Sequence, residues 1–143
     1  MINTGSPRRM AFALAAVLQA VPSLAAAQSP SLEGTWTGGG YAEAISGHRE
    51  RVSCRVRYTR ETADVFGVHA VCASRSVKLT QSGTVSRAGA NRFVGDFYNA
   101  EFDVAGRVRV VLEVRLRHVV SGSSQTVTLS SARGTGTLSL SRK

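Results

Sequence analysis

Arg51-Val52-Ser53-Cys54-Arg55-Val56-Arg57-Tyr58-Thr59 alternates without a break. Val52, Cys54, Val56 and Tyr58 point one way, and Arg51, Ser53, Arg55, Arg57 and Thr59 the other. A period of two over this length is a half-buried strand with a basic outer face. Phe66, Val68, Ala70 and Cys72 repeat the apolar half of the pattern. A turn centred near Ala63 sets Tyr58 opposite Val68, Val56 opposite Ala70 and Cys54 opposite Cys72. The two thiols then share one face of neighbouring antiparallel strands, within the roughly 7 Å Cα separation that a disulfide needs. Such a cross-link is expected to contribute about 3 kcal/mol by constraining the unfolded chain.

The same period extends in both directions. Glu33 to Tyr41 reads as a first strand, whose Gly38-Gly39-Gly40 allows a bend or bulge. Downstream, Ser76 to Ser86, Arg92 to Tyr98 and a short Glu101 to Val104 are strands, with Gly106 breaking the last. Arg107 to Val120 alternates cleanly, with Val108, Val110, Leu112, Val114 and Leu116 inward. Thr126 to Ser131 and Thr135 to Ser141 complete the chain. About eight short strands joined by hairpin-length connections predict an all-β fold, either a small up-and-down barrel or a β-sandwich. The barrel is favoured because no connection is long enough for a crossover.

Residues 1–27 have a different character. Arg8-Arg9 precedes the apolar run from Met10 to Leu18, and Ala25-Ala26-Ala27 offers small residues for cleavage. This is the layout of a secretory signal peptide. Gln19 and Pro22 interrupt the run, which argues against a membrane anchor. Cleavage after Ala27 leaves Gln28–Leu32 as a flexible N-terminus and residues 33–143 as one domain, periplasmic or secreted, with no transmembrane segment. An even cysteine count in an exported chain agrees with the pairing of Cys54 and Cys72.

Of the 18 basic residues only Arg8 and Arg9 lie in the leader and none of the 9 acids does, so the mature chain carries a formal +7. That charge favours anionic envelope components such as lipopolysaccharide or phospholipid, or an acidic protein; no specific nucleic acid is implied. Arg51, Arg55 and Arg57 share one strand face, and Arg107, Arg109, Arg115 and Arg117 another. If those strands are neighbours, they form a single anion-binding patch suited to phosphate or carboxylate.

Catalytic signals are sparse. No Gly-x-Ser-x-Gly elbow occurs. His48-Arg49-Glu50 has the His-x-Glu half of a zinc deaminase motif without the cysteine half, and no metal or other cofactor is expected. Asp96, Glu101 and Asp103 could supply a carboxylate pair but sit beside a turn. Gly134-Thr135-Gly136 lacks the third glycine of a dinucleotide loop and reads as a strand packed against something large. A non-enzymatic binding protein is the expectation.

Three resemblances accompany this reading. Leu32-Glu33-Gly34-Thr35-Trp36 resembles the Gly-x-Trp opening of lipocalin-like barrels. That implies Trp36 plugging one barrel end with an arginine of the last strand, here Arg142, packed on it. Gly89 to Phe93, Gly95 to Asn99 and Gly136 to Arg142 are similar to small secreted proteins of alphaproteobacteria, a group that implies no particular activity. Size, cysteine placement and Gly34-Thr35-Trp36 also resemble the periplasmic inhibitors of serralysin-type metalloproteases. This last resemblance implies an alternative function, in which Gln28-Ser29-Pro30-Ser31-Leu32 enters a protease cleft.

Overall fold

The computed structural model describes residues 31–113 and 124–143, together with Gly5 and Ala16. The rest of the leader, residues 28–30, and Arg115 and Arg117 lie outside the described residues. Eight strands follow one another: β1 (Gly34–Ala44), β2 (Arg49–Arg60), β3 (Val65–Ala73), β4 (Lys78–Gly89), β5 (Arg92–Asn99), β6 (Val104–Glu113), β7 (Ser124–Ser131) and β8 (Gly134–Arg142). Each pairs antiparallel with its neighbours in the sequence, and β1 pairs with β8 to close the barrel. Closure excludes the sandwich. No helix among the described residues is long and apolar enough to cross a membrane.

The β2–β3 register is the one the alternation demands: Tyr58 opposes Val68, Val56 opposes Ala70 and Cys54 opposes Cys72. The cysteines are bonded, with Cα atoms 4.1 Å apart. A disulfide is compatible with an oxidising extracellular or periplasmic environment.

Three local expectations are corrected. Gly38 to Gly40 makes no bulge, since β1 keeps continuous register with both β2 and β8. These glycines serve close approach instead. A Cβ on Gly38 or Gly40 would fall 2.0 or 1.8 Å from the carbonyl oxygens of Ser139 and Thr137, so side chains there would push β8 away. The irregularity lies in β4, between Arg87 and Gly89. Gly106 does not break a strand either; it lies inside β6, opposite Phe97. A Cβ on Gly106 would come within 2.6 Å of the Phe97 ring, so the missing side chain makes room for the aromatic one. Glu101 to Asp103 forms the turn before β6 rather than a strand of its own.

An eight-stranded barrel has an interior just wide enough for side chains to fill it. Half of this one is filled. Trp36, Phe66, Phe93, Leu112 and Val85 are wholly buried in the half where β1, β3, β5 and β7 begin. Trp36 meets Tyr58 edge-on at 6.4 Å, and Phe66 meets Phe93 likewise at 5.6 Å. Tyr58 donates to Oε1 of buried Gln125 at 2.6 Å, and burial pushes its phenol well above the usual range. In the other half the inward positions of β1 and β8 are Ala42, Ala44, Gly134 and Gly136.

Candidate functional site: the open end of the barrel

The small inward residues of β1 and β8 leave the second half of the interior unfilled. Two adjoining cavities of about 270 and 330 Å³ open there. Their shared wall is Leu79, Gln81, Val104 and Arg133. All four turns at this end contribute: His48 after β1, Val77 before β4, Phe102 before β6 and Arg133 before β8. Phe97, Leu129 and Gln81 form the floor, below which only about 30 Å³ of interior is empty. The exposed lining surface is mainly apolar, with Glu43, His48, Glu50, Gln81 and Arg133 among the polar residues around it.

Polar groups at the mouth differ in how they are engaged. Glu50 accepts a 2.7 Å hydrogen bond from the Ser76 hydroxyl, which holds its carboxyl below the usual range. Buried Asn99 accepts the Phe102 amide through Oδ1 at 2.9 Å and fixes the turn that carries that ring. The Arg133 amide donates to Ser131 Oγ, and its carbonyl accepts from the Ile45 amide, tying the β7–β8 turn to the β1–β2 turn. The Arg133 guanidinium is exposed, and no partner for it occurs among the described residues.

The outward arginines do not converge on one patch. Arg51, Arg55 and Arg57 lie on β2, and Arg107 and Arg109 on β6, four strands away on the opposite wall of the barrel. Arg51 donates to the Tyr41 hydroxyl at 3.1 Å, and this bond and charge lower the Tyr41 pKa. Arg49 lies 4.1 Å from the same ring. Arg107 stands 3.9 Å from Asp96, both fully in solvent. Asp96 therefore faces the outer wall, whereas Glu101 and Asp103 occupy the β5–β6 turn. Asp103 adopts a left-handed backbone (φ 49°) and accepts from the Tyr98 hydroxyl at 3.2 Å, raising the Tyr98 pKa. His48 and Glu50 lie at the mouth, and Gly134 and Gly136 line it.

At the opposite end, Trp36 donates through Nε1 to the Leu32 carbonyl at 2.8 Å. Arg142 stacks 4.4 Å from its ring and bonds the Glu33 and Ser31 carbonyls. Burial lowers the Arg142 pKa. Leu32 is completely buried, so it belongs to the core rather than to a flexible N-terminus. Ser31 is held too, its Oγ accepting from Arg60 at 2.9 Å. Two further arginines repeat this arrangement and were not singled out from the sequence. Arg87 lies 4.7 Å from the Phe93 ring and Arg60 5.8 Å from Phe66. Their signal was available: Arg60, Arg87 and Arg142 each continue the inward parity of a strand, two residues beyond Tyr58, Val85 and Leu140.

No family model and no curated protein matches the chain. Among solved structures it is similar to a redesigned β-barrel, mFAP1, bound to DFHBI (TM-score 0.63, 10% identity, covering 78% of this chain and 94% of that one). It is also similar to the redesigned barrel b11L5F_LGL (TM-score 0.59, 13% identity, 78% and 91% covered). A third is EF1p2_mFAP2b bound to DFHBI (TM-score 0.58, 11% identity, 78% and 94% covered). At such identities the likeness establishes the small closed barrel and nothing finer.

Proposed function

We propose that this protein is a non-enzymatic, periplasmic or secreted binding barrel that takes an anionic amphiphile into its open end. The observation that carries the reading is the combination at the mouth: a cavity with a mainly apolar surface whose rim holds the Arg133 guanidinium, which has no partner among the described residues. The apolar part of the ligand lies against Leu79, Val104 and Leu129, and its carboxylate or phosphate meets Arg133, whose planar donors suit both groups. Both cysteines are bonded, so neither offers a free thiol nucleophile. The exported address is supported by the disulfide and by the layout of residues 1–27.

Outward arginines contribute at longer range. Positive charge on two opposite walls raises the local concentration of anions around the barrel without forming a site.

The test uses 8-anilinonaphthalene-1-sulfonate, an apolar ring system bearing one anionic group. Saturable binding of one probe per folded chain is expected, displaced by a medium-chain carboxylate. Ala42→Leu, which fills the mouth from an inward position, should abolish it while the fold persists. Failure of the probe to saturate, or full binding by the Ala42→Leu protein, removes the reading.

A further inference from the structure

Five large hydrophobic side chains are exposed among the described residues: Tyr41, Ile45, Val94, Tyr98 and Phe102. Four of them belong to the open half. Ile45, 76% exposed, stands in the β1–β2 turn, and Phe102 in the β5–β6 turn. Tyr41 and Tyr98 lie on the outer wall close behind, in the last residues of β1 and β5. The topology sets the two apolar turns on opposite sides of the mouth, four strands apart. The two remaining turns at this end occupy the other diagonal. One carries Arg75 with Lys78 just beyond it, and the other Arg133. Apolar and basic groups thus alternate around the rim.

We propose that the barrel docks mouth-first on the surface of a phospholipid bilayer. Ile45 and Phe102 enter the interface, and Arg75, Lys78 and Arg133 meet headgroup phosphates. The charges fit that partner. Arg75, Lys78 and Arg133 are exposed and have no side-chain partner among the described residues, whereas Arg60, Arg87 and Arg142 at the far end are committed to rings or acids. Tyr41 and Tyr98 sit where amphipathic rings favour the headgroup level. Glu43, Glu50, Glu101 and Asp103 also lie at this end and offset its basic charge. Long-range attraction therefore comes from the chain's overall positive charge, and the apolar turns decide which end lands. Depth is limited to the turns. The outer walls carry Arg55, Arg57, Arg107 and Arg109 rather than the apolar band of a spanning barrel. The docking face shares Arg133 and Phe102 with the cavity rim, and it turns the cavity toward the membrane.

Flotation of the mature protein with phosphatidylcholine vesicles, with and without phosphatidylglycerol, tests it. The Ile45→Ser/Phe102→Ser protein should partition about tenfold less on both, because it loses the apolar contribution. Arg75→Gln/Arg133→Gln should lose severalfold, most on phosphatidylglycerol, and Glu101→Gln should gain there. Arg55→Gln/Arg57→Gln on the wall should change partition least. Ala42→Leu should float like the wild type, which separates docking from cavity binding. All these positions except Ala42 are exposed, and unchanged near-ultraviolet dichroism confirms folding. Absence of flotation overturns the proposal. So does equal flotation by the Ile45→Ser/Phe102→Ser protein, or a larger loss from the wall pair than from the rim pair.

Discussion

The two ends of this barrel are built from the same eight strands with opposite use of arginine. At the plugged end Arg60, Arg87 and Arg142 lie over Phe66, Phe93 and Trp36. Their guanidinium groups lie over the rings and are held by acids or carbonyls. At the mouth Arg133 precedes inward Gly134 and Gly136, Arg75 lies in the β3–β4 turn, and neither is stacked on a ring among the described residues. An arginine is thus a roof where the interior is aromatic and an available cation where it is empty. Filling is decided strand by strand, since the diameter of an eight-stranded barrel is fixed by strand number and shear.

The sharpest break of this contrast is Trp36→Ala. The side chain is fully buried, donates to Leu32 and carries Arg142. Its loss should cost about 3–5 kcal/mol, a large share of the stability of a small domain. Urea denaturation at low temperature measures this. A cost below about 1 kcal/mol would show that the plugged end is not the stabilising half. Removing the disulfide by Cys54→Ser/Cys72→Ser should come next, at about 2–5 kcal/mol. Cys54 opposes Gly38, and Cys72 opposes Leu79 of the mouth. The bond therefore staples the half that lacks a packed interior. Amide exchange should accelerate around the mouth ends of β2, β3 and β4 before it does near Phe66 or Val85; uniform acceleration contradicts this assignment.

The three tyrosines report the same contrast through their ionisation. Tyr41, near the mouth, is lowered by its bond to Arg51 and that residue's charge. Tyr98 is raised by its bond to Asp103 and by the adjacent carboxylate. Tyr58, in the plugged end, is raised far more, chiefly by burial. Absorbance near 295 nm should therefore rise in the order Tyr41, Tyr98, Tyr58. The buried phenol has a folded-state pKa above its unfolded value of about 10. Its contribution is intact below pH about 10 and is lost as pH rises through the folded value, because the unfolded chain releases the proton first. Alkaline unfolding should accordingly accompany the last phase. Tyr58→Phe should remove that phase while costing about 1–3 kcal/mol at neutral pH, by leaving Gln125 Oε1 buried without its donor.

Much of the architecture was legible because it is carried by parity. Alternation in Arg51 to Thr59 and Phe66 to Cys72 was sufficient for the β2–β3 register and the disulfide, since a slip of one residue would turn every apolar side chain outward. Strand limits were less legible where glycine has two meanings. Gly106 reads as a breaker until Phe97 is seen to occupy the space above it. The arginine surface was misjudged because face is local and neighbourhood is not: β2 and β6 each show outward arginines, but only barrel order reveals that they lie on opposite walls. The mouth escaped notice for a similar reason. Ala42, Gly136 and Leu129 are unremarkable singly, and a cavity appears only when inward residues from all eight strands are compared at one height. The roofing arginines, by contrast, were within reach, since a charged residue at the next inward position of a core strand marks a barrel end.

The smallest effect compares one substitution at both ends. Leu112 is fully buried among the plug, and Leu112→Ala should cost about 2–5 kcal/mol because an enclosed void remains. Leu79 points inward in β4 but is only half-buried and borders both mouth cavities. Leu79→Ala enlarges a space that water already reaches, so the cavity penalty vanishes and only the transfer of partly exposed carbons is lost, about 1 kcal/mol or less. The same protein should bind the naphthalene probe several-fold more weakly, because the ligand loses a contact that the fold never depended on. Chemical denaturation of the two variants side by side supplies the ratio. Equal costs would mean that the mouth is closed in solution, and that Leu79 is as much a core residue as Leu112.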